Sequence, residues 1–186
     1  MNIPNTLTLL RIMLVPALVA ALLIRFENHA FYAVGVYLLA MATDWLDGFL
    51  ARRWGQVTVF GVLLDPVADK MVTAAALISL VQTGDAPAWI VVILVGREFA
   101  VSGLRMIAAS QHLVIPAHFF GKAKTFAEVP TLSVLILNRA FESPLMSRLG
   151  MAGLWTVLAL SLLSGFDYWR KFRRRIDFAA VPTEAE

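Results

Sequence analysis

The sequence contains no cysteine, only three histidines and few charges: Asp, Glu, Lys and Arg together make up 16% of 186 residues. The missing thiols exclude a disulfide framework, a thiolate metal site and a cysteine nucleophile. The scarcity of charge, against about 25% in soluble domains, excludes a disordered chain and an ordinary soluble globule. The net charge of +3 is too small to argue for a nucleic-acid partner. Apolar residues fill the gap, at 59% of the chain with a mean hydropathy of +0.73. A membrane-spanning helix takes about 20 apolar residues, so six would use about 120 and leave no room for a separate soluble domain. The expectation is an all-α, polytopic integral membrane bundle of six transmembrane helices, a single domain over residues 1–186.

Apolar stretches run over residues 7–24, 31–50, 60–80, 87–107, 116–137 and 149–166. The breaks carry turn residues or charge, as in Arg25-Phe26-Glu27-Asn28, Thr83-Gly84-Asp85-Ala86-Pro87 and Phe141-Glu142-Ser143-Pro144. The opening Met1-Asn2-Ile3-Pro4-Asn5 lacks the basic region of a cleavable signal, so the first stretch is expected to be retained. Residues 1–10 are interrupted by Asn, Thr and Pro and are expected to form a short interfacial segment before the first span. Basic residues cluster on the side of the second-to-third connection: Arg11, Arg52, Arg53, Lys70, Arg105, Lys122, Lys124 and the tail over residues 170–175. The opposite loops hold Arg25, Arg139 and Arg148. The bias makes the first side cytoplasmic, with both termini there and the tail able to meet anionic lipid headgroups.

Four carboxylates break the hydrocarbon pattern. Asp44 and Asp47 stand i,i+3 on the second predicted helix, and Asp65 and Asp69 stand i,i+4 on the third. Each pair shares a helix face. An ionised residue at a span centre costs at least about 2.5–3.5 kcal/mol, so a cation or an aqueous cavity must compensate. The two helices are expected to be antiparallel neighbours that bring all four acids to one depth near the cytoplasmic side. With no cysteine and no histidine in the motif, an all-oxygen site suits Mg²⁺, Mn²⁺ or Ca²⁺ rather than zinc. Pro66 disfavours α geometry at Asp65 and is expected to mark a first turn or a kink.

The string Asp44-x2-Asp47-Gly48-x2-Ala51-Arg52-x8-Gly61-x3-Asp65-x3-Asp69 resembles the signature of the CDP-alcohol phosphotransferase family at all eight fixed positions. Further strings resemble its bacterial members that use a glycerol phosphate acceptor: the N-terminal Asn2-Ile3-Pro4-Asn5-Thr6-Leu7, Arg97-Glu98 followed by Ser102-Gly103-Leu104-Arg105, and Gly121-Lys122-Ala123-Lys124-Thr125. Glu128 departs from the glutamine expected there. The resemblance implies transfer of a phosphatidyl group from CDP-diacylglycerol to the 1-hydroxyl of glycerol 3-phosphate, with CMP as the second product, at the cytoplasmic face of a bacterial inner membrane. It implies that Asp44, Asp47, Asp65 and Asp69 hold one or two Mg²⁺ or Mn²⁺ ions and that Asp69 is also the general base. It implies donor contacts at Gly48, Arg52 and Thr58, close approach at Gly61, further donor contacts at Asn5 and Thr8, and a homodimer.

The acceptor's phosphate calls for a second basic pocket, for which Arg97, Arg105, Lys122 and Lys124 are the candidates. Arg97 can instead pair with Glu98. Lys70 follows Asp69 and is expected to point elsewhere on the helix. Two other readings compete: another acceptor, such as inositol phosphate, with the same donor chemistry, and a membrane cation carrier. The carrier reading leaves the Gly-x2-Ala-Arg spacing and the basic cluster unexplained.

Overall fold

A computed structural model describes residues 3–54, 59–110 and 119–175. Within these helices, the side chains of residues 3–5, 45, 47–54, 59–66, 110, 119, 120, 122 and 175 lie outside the described set. The described residues form six helices: α1 (Ile3–Leu23), α2 (His29–Trp54), α3 (Val59–Gln82), α4 (Ala88–Ser110), α5 (Phe119–Phe141) and α6 (Pro144–Arg175). Each expected apolar stretch falls on one helix, and three described turns fall at the expected breaks. Asn28 and Glu142 adopt φ of 60° and 46°, and Gly84 adopts 82°, where the missing Cβ relieves the steric cost. The α3–α4 turn is closed by Asp85 N–H donating to Leu80 O at 2.9 Å.

Two sequence expectations change. Residues 3–10 are the first turns of an unbroken α1 rather than a separate segment, and Thr8 and Arg11 on them are buried. Packing of Thr8 against the bundle accompanies the helical start at Ile3. Pro66 lies well inside α3 and not in its first turn, so of the two expected placements the first-turn one does not hold. Pro16 and Pro130 likewise sit inside α1 and α5. Neighbouring helices commonly sustain proline within apolar bundles.

The core is assembled from all six helices: Leu18 and Leu22, Tyr37, Leu77, Leu94, Ile136 and Leu154 meet in one cluster. Among the described residues, α1 packs chiefly on α2 and α3, which touch each other less, and α5 packs on α6 and α2. The outer surface is also apolar, with Met13, Val92, Met106, Phe126 and Phe166 among the large exposed side chains. A surface of this kind marks contact with another apolar phase or partner. α1 and α6 each contain a segment long and apolar enough to cross a membrane, Thr6–Leu23 and Pro144–Arg174. Hydroxyls on the helices are satisfied locally, as where Thr131 Oγ1 donates to Ala127 O at 2.7 Å and Ser133 Oγ to Val129 O at 2.8 Å.

Glycine sets the α5–α6 approach. A Cβ added to Gly153 would lie 2.5 Å from Thr131 Oγ1 and 2.9 Å from its Cγ2. Thr131 is β-branched and buried, so it has little room to yield. Gly153→Ala is therefore expected to destabilise the bundle by about 1–3 kcal/mol. Thermal unfolding in detergent checks this, and an unchanged midpoint would mean that the two helices separate freely.

Candidate active site

Five helices converge on a cavity of about 1010 Å³. α2 contributes Asp44, α3 contributes Asp69 and Lys70, and α4 contributes Arg97, Glu98, Ser102 and Arg105. α5 adds Gly121, Lys124 and Thr125, and α6 adds Ser164. Carboxylates and cations from separate parts of the sequence thus share one space, while its remaining wall is apolar, with Val101, Phe126, Val129 and Pro130.

The acidic side is braced from α1. The Arg11 guanidinium, 0% exposed, meets Asp44 Oδ1 at 3.0 Å, while the Asp44 side chain stays 43% exposed. Burying a guanidinium this completely requires an anionic or hydrogen-bonding partner nearby. Asp69 lies on α3 and lines the same cavity as Asp44. Asp47 and Asp65 stand one turn from these two on α2 and α3, with side chains outside the described residues. The donor chemistry, carboxylate oxygens with no thiol in the chain, fits a hard divalent cation. No set of three acidic or histidine ligands forms among the described residues, which include only Asp44 and Asp69 of the four acid side chains.

The basic side is a linked network. Glu98 Oε1 accepts from Arg97 Nη1 and from Lys124 Nζ, each at 2.5 Å. Lys124 also reaches Glu128 Oε2 at 3.1 Å, one turn along α5. Lys70 Nζ donates to Ser102 Oγ, which donates in turn to Glu98 O at 2.7 Å. Arg105 stacks over the Tyr168 ring at 5.7 Å from its centroid. Arg97 is admitted by a glycine on α6, since a Cβ on Gly165 would stand 3.2 Å from Arg97 Nε.

Of the expected acceptor residues, Arg97, Arg105 and Lys124 therefore line the cavity, and Arg97 does pair with Glu98. The Lys122 side chain lies outside the described residues. Among the expected donor residues, Thr8 is buried on α1 and does not line the cavity. Gly48, Arg52 and Gly61 are on helical backbone, with Asn5 at the start of α1, and their side-chain surroundings are outside the described residues; Thr58 lies outside them altogether. Sequence reasoning missed Lys70, which faces the cavity, and Arg11, which it assigned only to topology. It also missed that Glu98, expected as a partner of Arg97, holds Lys124 as well, and that Glu128 pairs with Lys124.

The fold and cavity define a class: an apolar-surfaced helical bundle with a charged chamber built from acids on α2 and α3 and bases on α3, α4 and α5. The chain belongs to the CDP-alcohol phosphatidyltransferase family, whose model matches residues 1–163. It is similar to a Bacillus subtilis (strain 168) protein named CDP-diacylglycerol–glycerol-3-phosphate 3-phosphatidyltransferase, at 39% identity over 184 residues, covering 91% of this chain and 94% of that one. A Rickettsia bellii (strain RML369-C) protein of the same name is 31% identical over 174 residues, covering 93% of this chain and 96% of its own. A Mycobacterium tuberculosis (strain ATCC 25618 / H37Rv) protein named probable phosphatidylglycerophosphate synthase is 36% identical over 181 residues, covering 94% and 83% respectively.

Proposed function

We propose that this chain transfers the phosphatidyl group of CDP-diacylglycerol to glycerol 3-phosphate, giving phosphatidylglycerol phosphate and CMP. The observation that carries the reading is the convergence of Asp44 and Asp69 with Lys70, Arg97, Arg105 and Lys124 on one cavity, in a chain with the eight-position motif. The names of relatives that align with most of the chain supply the acceptor.

Asp69 takes the proton of the acceptor's 1-hydroxyl, and the freed oxygen attacks the phosphorus of the phosphatidyl group. The new O–P bond replaces the bond to CMP, which departs with the electron pair. A carboxylate within reach of the attacking hydroxyl contributes about 10²–10⁴-fold to such a step. Asp44, Asp47, Asp65 and Asp69 would hold one or two Mg²⁺ or Mn²⁺ ions, which supply Lewis-acid compensation for charge on the pyrophosphate oxygens. Asn5, Gly48, Arg52, Thr58 and Gly61 form the donor side in this reading, and Thr8, buried on α1, is left out of it.

Arg97, Arg105, Lys122 and Lys124 form the acceptor side, and the ion pairs refine their roles. Glu98 and Glu128 already offset Arg97 and Lys124, so these two shape the wall. Lys70 and Arg105 form no salt bridge within 4 Å among the described residues, and both face the same cavity. They are the cations best placed to meet the phosphate dianion.

In the same reading the six helices all span a bacterial inner membrane. Both termini and the cavity are cytoplasmic, the tail touches anionic lipid, and the enzyme is a homodimer. Support comes from the Lys and Arg bias and from the apolar outer surface.

The test is an acceptor panel with purified enzyme and CDP-diacylglycerol, reading CMP release with Mg²⁺ and with EDTA. Glycerol 3-phosphate is expected to support turnover that EDTA abolishes, and inositol phosphate is not. Metal-dependent CMP from inositol phosphate alone would move the acceptor assignment. Divalent-ion flux into vesicles with no CMP formed would favour a carrier.

A further inference from the structure

Beside the main cavity lies a smaller pocket of about 70 Å³ that shares Asp69, Lys70, Glu98 and Lys124 with it. Its lining also includes Tyr37 of α2 and Glu128 of α5, with Met41, Leu77, Leu94 and Phe99 among its apolar side chains. Tyr37 is 0% exposed, and its hydroxyl has no hydrogen-bond partner among the described residues. Leaving a buried hydroxyl unsatisfied costs about 1–3 kcal/mol. Phenylalanine would fill the same volume without that cost, so packing does not explain the oxygen. Buried phenols ordinarily find a partner, and here Tyr37 lines a pocket of mixed character that also holds the Asp69 and Glu128 carboxylates.

The chemistry of the walls separates two ends of a ligand. Arg105 lines the large cavity alone and Lys70 stands where the two spaces meet, so a phosphate belongs on the large-cavity side. The small pocket offers a neutral donor, the Tyr37 O–H, and an acceptor, the Glu128 carboxylate that Lys124 holds in place. A donor and an acceptor facing one small space match an alcohol, which both accepts and donates. Two or three waters, or one hydroxyl-bearing carbon, would occupy it.

We infer that Tyr37 and Glu128 form a subsite for the secondary hydroxyl of the polyol phosphate acceptor, so that Tyr37 determines specificity for acceptors that carry it. The inference rests on the reading of the site as a glycerol 3-phosphate acceptor site. A site built to hydrogen-bond a substrate hydroxyl discriminates against analogues that lack it, because its buried polar groups are then left unpaired.

The experiment compares glycerol 3-phosphate with 3-hydroxypropyl phosphate, which keeps the primary hydroxyl and the phosphate but lacks the secondary hydroxyl. Both are assayed with the full-length enzyme, CDP-diacylglycerol and Mg²⁺, for wild type and Tyr37→Phe. Wild type is expected to prefer glycerol 3-phosphate. In the variant, kcat/KM for glycerol 3-phosphate falls about 10-fold, the worth of one hydrogen bond. The value for the analogue stays within about 2-fold, and so does the KM for CDP-diacylglycerol. Equal losses with both acceptors would make Tyr37 a packing residue and overturn the inference alone. No loss with either acceptor would also overturn it. A wild-type enzyme that forms no CMP from glycerol 3-phosphate would overturn the reading of the site, and this subsite with it.

Discussion

Replacing Asp69 with asparagine is expected to lower kcat by about 10²–10⁴-fold, with CDP-diacylglycerol still bound. The size follows from the removal of a positioned proton acceptor. The side chain keeps its volume and one oxygen, so the helix and the cavity wall are preserved. Asp69 lines both the main cavity and the small pocket beside it, whereas Asp44, the motif's other described carboxylate, lines the main cavity alone. That position suits a group that meets the acceptor as well as the donor side. Single-turnover CMP release measures the chemical step, and equilibrium binding of CDP-diacylglycerol measures the donor complex. A variant that releases CMP at the wild-type rate would remove Asp69 from proton transfer. A variant that folds but no longer binds the donor would make it chiefly a binding residue.

The helices and their face-sharing acids were legible because each rests on local periodicity. Six apolar stretches separated by Gly, Pro, Asn and charge leave little choice of secondary structure, and α1 to α6 follow them. The i,i+3 and i,i+4 spacings put Asp44 with Asp47 and Asp65 with Asp69 on helix faces by geometry alone. What periodicity does not encode is which helix a face meets. The motif reads as an α2–α3 pair, and α2 and α3 do touch, but among the described residues α1 packs extensively on both. Arg11 therefore reads as a topological charge from the sequence and becomes the buried partner of Asp44 in the fold.

Lys70 shows a second limit. Successive residues on a helix point about 100° apart, so its neighbour Asp69 seemed to exclude it from the site. The cavity is bounded by α3 and α4 together, however, and is wide enough to take both side chains, with Ser102 of α4 receiving the lysine. Tyr37 carried no signal at all, since a tyrosine between Val36 and Leu38 reads as part of an apolar span. Only its unpartnered, fully buried hydroxyl in a pocket shared with Asp69 and Glu128 distinguishes it from a core aromatic.

Arg11→Met carries the other large expected effect, and it acts on stability and metal binding in opposite directions. Methionine keeps much of the apolar stem and removes the charge, so lost packing is limited. Breaking a fully buried ion pair costs about 3–5 kcal/mol. Asp44 is 43% exposed, so water takes up part of its charge and the expected loss is smaller, about 1–3 kcal/mol. In the metal-free enzyme this corresponds to a midpoint lower by roughly 3–10 °C. Added Mg²⁺ should then act more strongly than in wild type. Arg11 occupies Asp44 Oδ1 and opposes a second cation there, so its removal leaves a more negative site with a higher affinity for the ion. A ligand that binds only the folded state stabilises it by an amount that grows with that affinity. The Mg²⁺-induced rise in midpoint is therefore expected to be larger for Arg11→Met, partly restoring its stability, while Arg11→Lys stays close to wild type in both respects. If Arg11 were only a topological charge, Arg11→Met would unfold at the wild-type temperature with and without Mg²⁺. If its role were packing alone, the metal-free midpoint would fall with no change in the response to the ion.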